Sequence, residues 1–215
     1  MSLFKAAATV SSLTLLSRIT GLARDIIIAR AFGASALTDA FWVAFRIPNL
    51  LRRLFAEGAF TQAFVPILAE VKQTHDDQNA VRQAIDRVAM ALFSVLSLMT
   101  LLGIIGAPVV VLVIASGLGE PDRLAEYDAA VWMTRVMFPY IVCMSLVSFA
   151  SGVLNTWKRF AVPAVTPVLL NLSMIGASLW LADRVEQPIY ALALGVMIGG
   201  IAQLSVQWWA ISRLG

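Results

Sequence analysis

The sequence is poor in charge and in metal-binding side chains. A single cysteine (Cys143) and a single histidine (His75) among 215 residues exclude an internal disulfide framework and leave carboxylates as the only source of a metal site. Neither a cofactor nor a metal is therefore expected. Charged residues make up 13% of the chain, where a soluble globular domain carries about 25%, and that shortage excludes an ordinary soluble enzyme. The 16 basic against 13 acidic residues are too small an excess for a nucleic-acid partner. No low-complexity tract or domain linker interrupts the sequence. The start, Met1-Ser2-Leu3-Phe4-Lys5, looks like a secretory signal, but Arg18, Arg24 and Asp25 break a segment that runs on to Phe32, far past the apolar core of such a signal. It reads as a retained first helix.

What is present is hydrophobicity, at 60% of residues, in runs long enough to span a bilayer. The runs predict an all-α, polytopic membrane protein with helices over about 7–32, 38–69, 88–115, 129–153, 161–182 and 188–211. The short loops assign an orientation, because Lys and Arg concentrate on the cytoplasmic side. With both termini inside, Lys5, Lys72, Arg82, Arg87, Lys158, Arg159 and Arg213 fall inside. Arg123 and Arg184 fall in outer loops, beside Glu120, Asp122, Glu126, Asp128, Asp183 and Glu186, and Arg30 is borderline. Pro48, Pro66, Pro108, Pro139 and Pro167 lie inside spans, where each removes a backbone hydrogen bond and bends its helix. The small residues from Gly195 to Gly200 predict close helix packing.

The first two spans carry charges that each cost about 2.5–3.5 kcal/mol at the bilayer centre. Projected at about 100° per residue, Thr14, Ser17, Arg18, Gly21, Arg24 and Asp25 share an arc of roughly 120°. Leu15, Leu16, Ile19, Leu22, Ala23, Ile26 and Ile27 lie opposite. On the second span Asp39, Arg46, Asn49, Arg53 and Glu57 share an arc of roughly 80°, with Arg52 to one side. Such polar stripes face protein or a water-filled cavity. Arg18, Arg24, Arg46, Arg52 and Arg53 outnumber Asp25, Asp39 and Glu57 by two, so an anionic ligand is the natural partner. Arginine suits phosphate through paired hydrogen bonds and stays charged in a partly dry site.

Other polar residues have plainer readings. A bend at Pro48 would let Arg52 snorkel to an interface. Arg30 and Asp39 flank the outer turn, where an interfacial role competes with a functional one. Arg135 is expected to pair with an outer-loop acid, His75 to sit on a solvated loop and Cys143 to be a small core residue. Trp157, Trp208 and Trp209 read as interfacial anchors.

The stretch Phe45-Arg46-Ile47-Pro48-Asn49-Leu50-Leu51-Arg52-Arg53-Leu54-Phe55-Ala56-Glu57-Gly58-Ala59-Phe60 closely resembles the signature of the MurJ/MviN family of bacterial lipid II flippases. Ser17-Arg18-Ile19-Thr20-Gly21-Leu22-Ala23-Arg24-Asp25 and Thr61-Gln62-Ala63-Phe64-Val65-Pro66 resemble the same family. The resemblance covers the whole chain but only the first six of the family's fourteen helices, one lobe of a two-lobed exporter fold. It implies export of undecaprenyl-pyrophosphate-linked muropeptide, lipid II, to the outer leaflet of the cytoplasmic (inner) membrane, by lobes that rock about a central cavity. It also implies that Arg18, Arg24, Arg52 and Asp39 are needed for function, and that Arg24 and Asp25 lie at the substrate pyrophosphate. Asn49, Arg53 and Glu57 join the candidate substrate-binding set from the second stripe. The family's sodium site and one further cavity arginine belong to the second lobe, so no ion ligand is expected here and a second lobe of the same polypeptide is.

Three rivals remain. A drug or polysaccharide exporter of the same superfamily is disfavoured by the arginine-rich second helix. An intramembrane enzyme acting on lipid pyrophosphates would have only Asp25, Asp39 and Glu57 for its acid–base chemistry. The third is a half-transporter that dimerises.

Overall fold

A computed structural model describes residues 3–52 and 78–214. Among these all regular structure is helical: α1 (Leu3–Phe32), α2 (Ala36–Arg52), α3 (Gln78–Ile114), α4 (Leu124–Met137), α5 (Tyr140–Thr156), α6 (Ala161–Gly176) and α7 (Tyr190–Ser212). Four segments are long and apolar enough to cross a membrane: Ile85–Ile114, Pro121–Thr156, Ala161–Arg184 and Tyr190–Ser212. The α1 helix is not among them, in keeping with its charges, and the described part of α2, 17 residues, is too short to be one.

The differences from the expected spans have local causes. The α3 helix is already formed at Gln78, ahead of 88, with no glycine or proline between that residue and the apolar run. The fourth span is two helices, α4 and α5, divided at Phe138-Pro139, where the proline ring cannot continue the hydrogen-bond ladder. The fifth span ends in a π-helical turn, Ala177–Leu181, and a 3₁₀ turn, Ala182–Arg184. A tight turn joins α1 to α2 through Gly33 at φ 64°, the left-handed region where a side chain is strained. Ser35 then caps α2, its hydroxyl accepting the Thr38 N–H at 3.2 Å.

The fourth span is the centre of the bundle: 72% of its most apolar stretch is buried, against 17% for α3. Fully buried Ala40, Ala44, Ala130, Met133 and Met137 let α2 lie close on α4. The α6 and α7 helices share the most extensive seam, and glycines make it. A β-carbon at Gly195 would stand 2.7 Å from Ala177 Cβ, and one at Gly199 would stand 3.1 Å from Leu170 Cα. The expectation of close packing at these small residues is met. Ser173 adds a hydrogen bond to the Gly195 carbonyl at 2.8 Å.

Two buried glutamines pair across helices. Gln207 Nε2 donates to Ser151 Oγ at 2.8 Å and Thr166 Oγ1 at 2.9 Å, tying α7 to α5 and α6. Gln203 Nε2 donates to the Thr166 carbonyl at 2.9 Å.

Arg135 corrects an expectation. Its Nε donates to the Ile104 carbonyl at 3.3 Å, not to an outer-loop acid. Ile104 lies four residues before Pro108, whose missing N–H leaves that carbonyl without its helical donor, so Arg135 completes the bend in α3. Tyr127 Oη donates to the Pro108 carbonyl at 3.2 Å.

Candidate functional site

The α1 helix is 30 residues long, and two of its hydroxyls are made compatible with a membrane by bonding back to their own helix. Thr14 donates to the Val10 carbonyl at 2.8 Å and Thr20 to Leu16 at 3.0 Å. Its predicted apolar face is open, with Leu15, Leu16, Ile19, Leu22 and Ile26 exposed, the surface that lipid would cover. The polar stripe divides in two. Ser17, Thr20, Gly21 and Arg24 are partly covered where α1 packs on α6. Thr14, Arg18 and Asp25 form the open edge.

At the covered edge, Arg24 is held from two sides. Its Nε and Nη2 donate to one oxygen of Asp25, Oδ1, at 2.9 and 2.7 Å. Its Nη1 donates to Asn171 Oδ1 on α6 at 3.0 Å. Asn171, 6% exposed, donates from Nδ2 to the Ser17 carbonyl and to Thr20 Oγ1, both at 3.1 Å. A β-carbon at Gly21 would stand 3.5 Å from Asn171 Nδ2, an ordinary van der Waals contact. The Arg24 side chain is 19% exposed and Asp25 54% exposed, so the pair sits at a boundary between packed helix and open space. Arg18 is exposed on the same open edge as Asp25.

On α2 a second open stripe runs through Asp39, Arg46 and Leu50, opposite the buried Ala40, Phe41, Ala44 and Ile47. Asp39 occupies the first turn of its helix, where an acid also complements the helix dipole. Asn49 is half-buried and engaged in an interaction. Arg53 and Glu57 lie outside the described residues, as does the side chain of Arg52. The α1 helix is seated on α6 and α2 on α4, so the two charged helices are held by different parts of the bundle and each keeps a charged stripe uncovered.

Sequence reasoning missed Asn171. Its signal was an amide set among Leu169, Leu170 and Leu172, a polar group whose burial is costly unless it is hydrogen-bonded. A cavity of about 670 Å³ lined by Asp86, Phe93, Leu146, Leu204 and Trp208, among others, lies on the α3, α5 and α7 side, apart from the charged helices. Trp208 and Trp209 are exposed at the end of α7, with the Arg213 guanidinium 5.3 Å from the Trp209 ring centroid.

Residues 28–215 match the family model described as lipid II flippase MurJ. The chain belongs to the MurJ family. It is 56% identical over 209 residues to the lipid II flippase MurJ of Burkholderia cenocepacia, covering 96% of this chain and 40% of that protein. To the probable lipid II flippase MurJ of Haemophilus influenzae it is 42% identical, covering 91% and 39%. A solved structure titled lipid II flippase MurJ, inward closed conformation, superposes with a TM-score of 0.72 at 24% identity, over 92% of this chain and 41% of that one, and shares its fold. The chain thus spans about 40% of the length of the curated MurJ relatives it matches. It is a multi-pass, helical membrane protein.

Proposed function

We propose that this chain is one lobe of a flippase that moves lipid-linked peptidoglycan precursor, lipid II, from the inner to the outer leaflet of the bacterial cytoplasmic membrane, in support of cell wall synthesis. The observation that carries the reading is the pair of uncovered charged stripes, Arg18 with Asp25 on α1 and Asp39 with Arg46 on α2, on membrane helices of a MurJ-family chain. Charges do not face lipid at such a depth. They border a water-filled space, closed on its other side by a second lobe of the same polypeptide.

In that space the pyrophosphate and sugar headgroup is held by arginines while the prenyl tail stays in the bilayer. Arg18, Arg24, Arg52 and Arg53 are the cationic ligands. Asp25, Asp39, Asn49 and Glu57 orient these arginines and bind the polar headgroup. Rocking of the lobes changes which leaflet the site faces, and no covalent step is involved, so the protein is a transporter and not an enzyme. With both termini in the cytoplasm, an anionic headgroup moving outward gains about 2.3 kcal/mol per net charge per 100 mV of inside-negative potential.

The test is charge reversal in the full-length protein. Arg24→Glu should abolish support of growth when it is the only copy, at undiminished protein level in the membrane. Normal growth of that strain would refute the pyrophosphate-binding role.

A further inference from the structure

We propose that Asn171, on the fifth span, is the positioning residue that presents Arg24 to the phosphoryl oxygens of the substrate; the inference rests on the pyrophosphate reading of Arg24 given above. A guanidinium has five N–H donors in one plane. In the structure Asp25 takes one from Nε and one from Nη2, and Asn171 takes one from Nη1. One N–H on Nη1 and one on Nη2 have no acceptor among the described residues and are free to donate to phosphoryl oxygens. The two helpers differ in kind. Asp25 is exposed and adjacent in sequence, so it turns with Arg24 on the same helix and fixes no orientation relative to the rest of the bundle. Asn171 is buried on another helix, and among the described residues it is the one that refers the guanidinium plane to α6.

The amide is itself fixed. Its Nδ2 faces two acceptors, the Ser17 carbonyl and Thr20 Oγ1, and Thr20 spends its own proton on the carbonyls of Leu16 and Ser17 at 3.0 Å. Turning the amide over would set its oxygen against the Ser17 carbonyl and its NH₂ against the guanidinium, two repulsive contacts in place of three attractive ones. Oδ1 is thereby committed to Arg24. An asparagine is suited to this where an aspartate is not. It accepts from Arg24 without a second negative charge, so the guanidinium keeps the attraction for an anion that a second carboxylate would cancel.

A double-mutant cycle in the full-length protein, reconstituted in lipid nanodiscs, tests this. The probe is a long-chain prenyl pyrophosphate, with the corresponding prenyl alcohol as control, and the four proteins are wild type, Asn171→Ala, Arg24→Ala and the double variant. Asn171→Ala is expected to weaken pyrophosphate binding by roughly tenfold, the scale of a hydrogen bond to a charged group. It should leave alcohol binding unchanged and have less than about a twofold effect when Arg24 is already alanine. An equal loss in both backgrounds, or a matching loss for the alcohol, would mean that Asn171 only packs α1 on α6, and the inference would fall while the reading of Arg24 stood. No loss on Arg24→Ala alone would overturn that reading and the inference with it. If Asn171→Ala does not accumulate, Asn171→Leu, which keeps the volume, takes its place in the same cycle.

Discussion

Replacing Gly199 by alanine should loosen the α6–α7 seam. The added methyl would stand 2.8 Å from Leu170 Cδ1, 3.1 Å from Leu170 Cα and 3.3 Å from Ser173 Cβ, where carbon atoms settle at about 3.5–4.0 Å. Leu170 Cδ1 can rotate away, but its Cα cannot, so the two helices must part by roughly 0.5 Å, a gap that forfeits about a quarter of the dispersion energy of the contacts it opens. Overpacking of this kind costs about 1–3 kcal/mol. Against it, alanine regains about 0.5–1 kcal/mol of helix preference over glycine, leaving a net loss of about 1–2 kcal/mol. Gly106→Ala supplies the control, because nothing lies within 4 Å of a β-carbon there and the helix gain of about 0.5–1 kcal/mol stands alone. The two substitutions are chemically identical and should shift stability in opposite directions, by about 2 kcal/mol in total. Unfolding of the purified protein in mixed micelles, followed by helix content, measures both. Equal shifts of the same sign would refute the packing argument and with it the close seam between these helices.

Three further predictions concern the bundle. Gly103→Ala would drive a methyl into the Phe138 ring, which is buried against α3; it should destabilise by about 2 kcal/mol or more, and Phe138→Leu in the same protein should recover part of the loss, seen as non-additive unfolding midpoints. Arg135→Met leaves the Ile104 carbonyl without the donor that Pro108 denies it, at a cost of about 1 kcal/mol. Faster exchange of amide hydrogens around Ile104 to Pro108 would register the loss, and an unchanged exchange pattern would count against the role. Gln207→Leu removes the bonds to Ser151 and Thr166, yet each hydroxyl keeps a backbone acceptor at 2.8 Å, Val147 and Val162. The expected loss of stability is therefore small, about 1 kcal/mol, and unfolding measurements giving more than about 3 kcal/mol would show that the network acts as a unit.

Sequence patterning went furthest where the environment is uniform. Apolar run length marked the last four spans because a bilayer imposes one requirement on every helix, and the polar arc of α1 was legible because its angular spacing is a property of the helix alone. At Pro139 the sequence announced a bend, and the structure has a break between two helices. Arg135 was misread for the opposite reason. Its partner is a carbonyl released by Pro108 on another helix, and a backbone acceptor leaves no trace in side-chain chemistry, whereas a nearby run of acids in the outer loop offers an obvious but wrong match.

The candidate site shows the same limit more sharply. Arg24 and Asp25 are neighbours in sequence, and their pairing needed no fold to predict. What the sequence did not disclose is that half of the α1 polar stripe is a packing face. Ser17, Thr20 and Gly21 lie at the spacing that a cavity wall would have, and a helix projection cannot separate a polar face that meets water from one that meets another helix's amide. The distinction depends on Asn171, about 150 residues away, whose own polarity is too modest to mark it among the leucines of its span. Charge in a membrane helix announces itself through its cost. A buried amide that directs that charge is visible only once the helices have been placed side by side, which is why the residue that aims the arginine was harder to read than the arginine.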